Sequence, residues 1–575
     1  MAAEITIDKK TVSVFLAEGK RRQYLIPEYQ RPYAWGDDQV ITLFEDIWEF
    51  ATTIGGYDHE DATYFLGSIV SFDNNEKNVV EIIDGQQRLT SLCLLLRAIY
   101  TKFEPHANDN KEDKRLVEQI EPALWRVNPR DGAVDKTRPL FRSDVVSDGG
   151  NEIIQIILQT GKVVEGAKDN YSRNYRKFQS LLDEASKTDP LNVRSFVFAL
   201  LNQAIVLPIT ADSQDTALTI FSTLNNRGLP LSDADIFKAK IYSHLQLTGD
   251  DAKKKLFISD WKSLEERSDE AGESMQSLFY YDMFFERAKA KDQKTATPGV
   301  RNYFLNDNAN RLFDAGLMAR LEEIMTLFEL VNNGTIADDE PWMSDSKILP
   351  CIDILRSYSN EFWKYPVIIY FLKHHKSNNF AEAFYVFLKR FIAFLLLRYL
   401  EMPTISAIKG DVLKLDAAII DSDKPTFAAF KLVPETLRES IIKPHPKIIR
   451  MLLKIIAYNA QSELLPKSWD IEHILPQKWD VGFFPNVGDD IVKEKIEHIG
   501  NKVPFETVKN IRASNGFFAK KQELYRTSAI KIVRDLCNYP KWDLGAIEVR
   551  DVQVSDEIMK TLQSWIEEYD RGAAI

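Results

Sequence analysis

An α+β chain of more than one domain is the fold this sequence predicts, on three observations. Short apolar runs of β type are confined to roughly the first 240 residues and to the segment after about residue 460. The stretch between them reads almost wholly as amphipathic helix rich in Phe, Leu and Tyr. The chain's 575 residues also exceed the ~250–300 at which one hydrophobic core stops growing. The expected divisions are 1–240 (mixed α/β), 241–460 (helical) and 461–575 (two strands and helices).

Each element has a local reason. Phe65-Leu66-Gly67-Ser68-Ile69-Val70 and Val79-Val80-Glu81-Ile82-Ile83 are strand-like runs, with a turn expected at Asp73-Asn74-Asn75. Gly85 follows, and Leu89 to Leu96 continue as a helix. From about Glu152 the pattern is helical, with one β-like interruption at Ala204-Ile205-Val206-Leu207-Pro208-Ile209. Between Ala252 and Tyr458 helices are punctuated by loops such as Asn332-Asn333-Gly334 and Asp421-Ser422-Asp423. Polar and apolar residues then alternate from Trp469 until Pro476 ends a short strand. Ile499-Gly500-Asn501-Lys502-Val503 starts a second strand, followed by Asn510, Asn515 and a Lys/Arg-rich helix.

Composition narrows the function classes. Cys93, Cys351 and Cys537 are too scattered for a disulfide framework or a cysteine zinc knuckle, which fits a reducing, cytoplasmic location. The longest apolar run, Phe391 to Leu397, is too short to span a bilayer, so no membrane association is expected. A net charge of −12 argues against a surface coated in nucleic acid, but it leaves room for a local basic cleft. Lys502, Lys509, Arg512, Lys520 and Lys521 belong to such a local surplus, opposed only by Glu506 and Glu523. By itself that run fits a solvated helix face as well as a DNA-backbone contact.

Two constellations carry chemistry. In the first, Asp470-Ile471-Glu472-His473-Ile474-Leu475-Pro476-Gln477 sets a carboxylate beside an imidazole, and Asn501 and Asn510 follow. Phosphodiester hydrolysis needs a base that titrates near neutrality and a cation to stabilise charge on the phosphate. Adjacent strand residues point to opposite faces, so Glu472 and His473 converge only if the strand bends. His498, close to Asn501, reads as a surface residue, and His374-His375 as structural. This run resembles the strand motif of HNH nucleases. The resemblance implies a ββα-metal domain in which His473 is the general base and Asn501 holds the histidine loop. It also implies Glu472 and Asn510 as ligands of Mg²⁺ or Mn²⁺, with Asn515 as an alternative. Glu at position 472 and the long stretch between His473 and Asn501, which carries Phe483-Phe484-Pro485, depart from the compact pattern.

The second constellation is N-terminal. Ile26-Pro27-Glu28-Tyr29-Gln30-Arg31-Pro32-Tyr33-Ala34-Trp35 is dense in aromatic, amide and guanidinium groups suited to stacking and phosphate contact. Asp84-Gly85-Gln86-Gln87-Arg88 sits between a strand and a helix N-terminus, a position suited to an anion. The same residues fit an ordinary helix cap equally well. Together the motifs resemble the N-terminal domain of GmrSD-type, modification-dependent (Type IV) restriction enzymes, related to the ParB/sulfiredoxin fold. Residues Ile220 to Ser232, with Asn226-Arg227-Gly228, match the same pattern.

The resemblance implies an NTP (GTP, ATP, CTP or UTP) at Asp84, Gly85, Gln86, Gln87 and Arg88. It assigns DNA or modification sensing to Tyr29, Gln30, Arg31, Tyr33 and Trp35. The expected whole is an anti-phage endonuclease acting on double-stranded, modified phage DNA, with NTP hydrolysis that does not use P-loop chemistry. A homodimer would suit a double-strand cut on symmetry grounds. An NTP-switched DNA-binding regulator and an unspecific toxin nuclease are the rival readings.

Overall fold

The computed structural model describes residues 5–571 apart from 19–21, 58, 60, 76, 129, 146–149, 215, 219, 221–231, 307–308, 338–339, 403–404, 430–432, 480–483 and 485–486. The Ile220–Ser232 motif, except for its two end residues, lies outside the described residues, as do Phe483 and Pro485. The chain is α+β and forms two compact units, Met1–Lys262 and Ser263–Ile575. The helical stretch and the C-terminal segment, expected as separate domains, therefore share one unit.

The first unit is built on a seven-stranded mixed sheet. Its strands are β1 (Ile5–Ile7), β2 (Lys10–Thr11), β3 (Gln23–Ile26), β4 (Tyr64–Asn74), β5 (Val79–Asp84), β8 (Phe141–Ser143) and β9 (Ala204–Ala211), while β6 (Trp125–Val127) pairs separately with β7 (Val134–Pro139). The order is β1-β9-β4-β5-β3-β8, with β2 also pairing to β9. β4 and β5 form the expected hairpin, while β9 lies parallel to β4 and β3 parallel to β5. The helix Gln86–Phe103 leaves β5 and is buried on nearly every side, because the helices Lys111–Leu124 and Asn170–Thr188 both pack on it. That explains why Leu92 to Leu96 is an unbroken apolar run rather than an amphipathic stripe, and why even Thr90 and Ser91 are buried.

The aromatic motif after β3 is sewn into this core. Tyr33 Oη shares a 2.6 Å hydrogen bond with Ser91 Oγ and accepts one from Asn174 Nδ2 at 2.9 Å. Asn174 Nδ2 also donates to the Trp35 carbonyl, and Asn170 Nδ2 donates to that of Tyr33. Tyr29 Oη accepts from Gln214 Nε2, and Gln30 Nε2 donates to the Ile83 carbonyl.

The second unit is mostly helical. Its central helix, Phe380–Glu401, is apolar almost all round and packs against the helices Ile348–Leu355 and Leu544–Arg571. Lys389 Nζ reaches Glu568 on the latter at 2.6 Å. Helix Ile449–Ala460 packs on the small sheet of β10 (Trp469–His473) and β11 (Lys502–Glu506), and this continuous core merges the two expected domains. No helix among the described residues is long and apolar enough to cross a membrane.

Asn174→Ala removes two buried hydrogen bonds from the Tyr33–Trp35 loop, at a cost of about 2 kcal/mol. The expected outcome is a lower denaturant midpoint for the first unit; an unchanged midpoint would mean that apolar packing alone holds the loop.

Candidate functional site

β10 runs antiparallel to β11, with Glu472 opposite Val503 and His473 opposite Lys502. Strand alternation holds without a bend, so the two side chains leave on different faces. The bend that convergence of Glu472 and His473 would require is not present in β10.

Glu472 turns inward, 4% exposed. Its Oε1 accepts from Tyr525 Oη at 2.6 Å and lies 2.7 Å from Lys521 Nζ. Lys521, on the helix Phe518–Tyr525, is 1% exposed and also donates to the His473 carbonyl at 2.7 Å. Burial pulls the Lys521 ammonium below its ordinary range, opposed by the Glu472 charge, and burial with the same carboxylate pushes the Tyr525 phenol well up. A carboxylate already bound to an ammonium and a phenol, and turned away from the imidazole, does not fit a ligand of Mg²⁺ or Mn²⁺. Among the described residues no group of three His, Cys, Asp or Glu side chains is placed to hold a metal ion. Asn510 stands half-buried on the helix Thr507–Ala513, and Asn515 is exposed just beyond it.

His473 faces the other way, with 17% of its side chain exposed. Its Nε2 lies 3.5 Å from Glu497 Oε1, an electrostatic contact rather than a short hydrogen bond. Glu497 is itself fixed, because Lys502 Nζ lies 2.6 Å from its Oε2 and Gln477 Nε2 donates to Oε1 at 3.1 Å. Burial holds the His473 imidazole below its ordinary pKa; Glu497 pulls upward, and Lys502 and Lys521 reinforce the depression. The ring is therefore neutral at physiological pH.

The loop after His473 is held by Asn501, which is fully buried. Its Oδ1 accepts from Leu475 N–H at 2.7 Å and Trp542 Nε1 at 3.0 Å, and its Nδ2 donates to the carbonyls of Leu475 and Ile496. All four hydrogen-bonding positions of the amide are satisfied. Asn501 positions the loop and is sealed from substrate. The preceding turn is anchored in turn by Asp551, whose Oδ1 accepts from Gly500 N–H and whose Oδ2 lies 2.6 Å from His498 Nδ1. Gly500 is required there, since a Cβ would lie 2.5 Å from both Asp551 Oδ1 and the Ile547 carbonyl. His498, expected at the surface, is buried behind this turn.

The expected DNA-backbone cations divide. Lys502 and Lys521 are buried and paired internally, and Lys509 is half-buried on Glu506. Arg512 and Lys520 are exposed. Hydropathy could not separate these, because a buried lysine owes its place to a paired carboxylate, and for Lys521 that carboxylate, Glu472, is distant in sequence.

In the first unit, Gly85 takes left-handed φ of 85° and caps the helix that begins at Gln86. Asp84 lies before the cap and accepts from Gly85 N–H; burial pushes its carboxyl up, while that bond and Arg88 pull it back. Gln86 is buried. Gln87 is spent on the aromatic loop: Oε1 accepts from Ala34 and Trp35 N–H, and Nε2 donates to the Pro32 carbonyl. Arg88 Nη1 donates to the Ser68 carbonyl at 3.0 Å, in space that a Cβ on Gly67 would fill. The same guanidinium lines a cavity of about 310 Å³ with Trp35, Tyr64, Phe65, Asp38 and Asp46. Irregular β4 register between Phe65 and Gly67 accompanies the outward placement of Phe65. Of the expected sensing residues, Tyr29, Gln30 and Tyr33 are buried structural ties, Arg31 is exposed and Trp35 is half-buried.

Glu472→Gln would leave Lys521 as an uncompensated buried charge, at a cost on the order of 3 kcal/mol. The expected outcome is a clear fall in the second unit's unfolding midpoint. An unchanged midpoint with abolished cleavage would restore Glu472 to a metal-ligand role.

Residues 12–242 match the family described as GmrSD restriction endonuclease, N-terminal domain. Residues 435–556 match the GmrSD restriction endonucleases, C-terminal domain. No curated protein matches the chain. The two matches occur in the family's domain order and together cover both sites described above, so the chain belongs to the GmrSD restriction endonucleases.

Proposed function

We propose that this restriction endonuclease cuts modified phage DNA by hydrolysis at the His473 face of the second unit, with a nucleoside triphosphate bound beside Arg88 in the first. The observation that carries the cleavage reading is the state of His473: a neutral, partly exposed imidazole on a strand whose following loop is fixed by four hydrogen bonds to Asn501. Such a ring takes a proton from water as the oxygen attacks the phosphorus and the P–O3′ bond breaks, the leaving 3′-oxygen taking a proton from solvent, and Glu497 stabilises the imidazolium that results. Lys502 keeps Glu497 in place from across the strand ladder. The exposed Arg512 and Lys520 are the cations left to meet the DNA backbone. The divalent ion implied by the nuclease resemblance finds no fitting carboxylate in the Glu472–Lys521 pair, and no step is assigned to it.

The nucleotide reading rests on the cavity beside Arg88. Its aromatic lining suits a base, and its guanidinium suits a phosphate. Gln86 and Gln87 act through the fold rather than on the ligand. Arg31 and Trp35 are the motif's remaining surface groups for contact with DNA.

His473→Ala is expected to slow cleavage of modified DNA by about 10²- to 10⁴-fold with the fold intact; parental rates in that variant would remove the assignment. Because the active imidazole is the neutral form and its folded pKa is depressed, activity should persist as pH falls past the ordinary ~6.5. The acid limb of kcat/KM should then lie below that value and vanish from the residual activity of His473→Ala. Arg88→Met should weaken NTP binding by about ten- to a hundredfold in equilibrium titrations. Unchanged binding would place the nucleotide elsewhere.

A further inference from the structure

The cavity of about 310 Å³ beside Arg88 holds two carboxylates that neither a stacked ring nor a phosphate calls for, Asp38 and Asp46. Both come from the helix Asp37–Thr53 and stand ~12 Å apart along its axis by the rise per residue. Asp38 follows shortly after Trp35, whose N–H is bonded to the Gln87 side chain next to Arg88, so it falls at the Arg88 end. Asp46 falls at the far end.

Both ends are tied to β4. Asp46 Oδ2 accepts from the Tyr64 hydroxyl at 3.1 Å, which leaves Oδ1 without a partner among the described residues. Arg88 Nη1 donates to the Ser68 carbonyl at 3.0 Å. Tyr64 and Ser68 are roughly 13 Å apart by the rise of a strand, and Phe65, 60% exposed, stands between them in the lining. The groove therefore runs from an acceptor past an aromatic ring to a cation.

Resting on the nucleotide reading above, we infer that this site selects guanine nucleotides and that Asp46 reads the base. An ionised carboxylate can only accept hydrogen bonds. Guanine is the one base of the four that sets two donors side by side on its pairing edge, N1–H and the N2 amino group. They meet the two carboxylate oxygens as a guanidinium fork does. Adenine and cytosine set one amino donor beside a ring-nitrogen acceptor, and uracil flanks N3–H with two carbonyls. Each of these three turns at least one lone pair towards Asp46, and a site built for donors rejects such a ligand. With guanine at Asp46 and Phe65, the 5′ phosphates extend along β4 to Arg88, the cation in the lining.

The test is equilibrium titration of the full chain with GDP, ADP, CDP and UDP in magnesium buffer. Asp46→Asn and Arg88→Met are titrated alongside, with Glu45→Gln as a charge control, since Glu45 is exposed on the same helix and outside the lining. The parent is expected to bind GDP about tenfold or more tighter than the other three. Asp46→Asn should lose about tenfold for GDP and gain affinity for xanthosine 5′-diphosphate, because the amide donates to the xanthine O2 where guanine carries its amino group. Arg88→Met should weaken all four alike, and Glu45→Gln should change none. Equal affinity for the four diphosphates, or a guanine preference that survives in Asp46→Asn, overturns the inference and leaves the nucleotide site standing. No binding of any diphosphate removes the site and the inference together.

Discussion

Four hydrogen bonds on the Asn501 carboxamide fix the geometry of the loop that follows His473. They tie three separate pieces of chain, the loop at Leu475, the end of the helix at Ile496 and the Trp542 indole, to one buried side chain. An amide with two donors and two acceptors can make that junction without carrying charge into the interior, whereas a carboxylate of the same size would lack the donors. Asp551 and Gly500 brace the turn that delivers Asn501, and Arg550 collects the carbonyls the turn would otherwise leave open.

The two sides of β10 then diverge in chemistry. Inward, Glu472, Lys521 and Tyr525 form a dry, mutually neutralising cluster that locks the helix Phe518–Tyr525 to the strand. Outward, His473, Glu497 and Lys502 form a half-open relay in which the carboxylate serves both cations or near-cations. One strand thus separates a buried ion pair from a partly exposed imidazole, and a one-residue shift in register would exchange their places.

The first unit applies a similar economy. Most of the aromatic motif after β3 is consumed in holding the loop against the helix Gln86–Phe103, through Tyr33, Gln30 and the Gln87 side chain. What this frame presents outward is a small set: Trp35, Phe65 and the Arg88 guanidinium around one cavity. Dense motifs of this kind are constrained chiefly by the internal bonds they must complete, and only a minority of their residues are left to meet a ligand.

The sequence by itself determined the α+β class, the β4–β5 hairpin, the buried run that became the helix Phe380–Glu401 and the strand ending before Pro476, because each rests on local periodicity or on a motif of adjacent residues. It also placed β9 correctly within a helical stretch, since Ala204 to Ile209 is apolar on both faces of a buried strand. Tertiary structure alone decided the rest. The partners of Glu472 and Lys521 are 49 positions apart in the chain and those of His498 and Asp551 are 53 apart, so no local pattern marks either pair. Which lysines meet solvent, whether Gln87 faces a ligand or a loop, and how far the helical middle merges with the C-terminal sheet all depend on charges and surfaces brought together only when distant segments pack. Burial converts an ion that looks free in sequence into one that must be paired, and that conversion cannot be read before the fold exists.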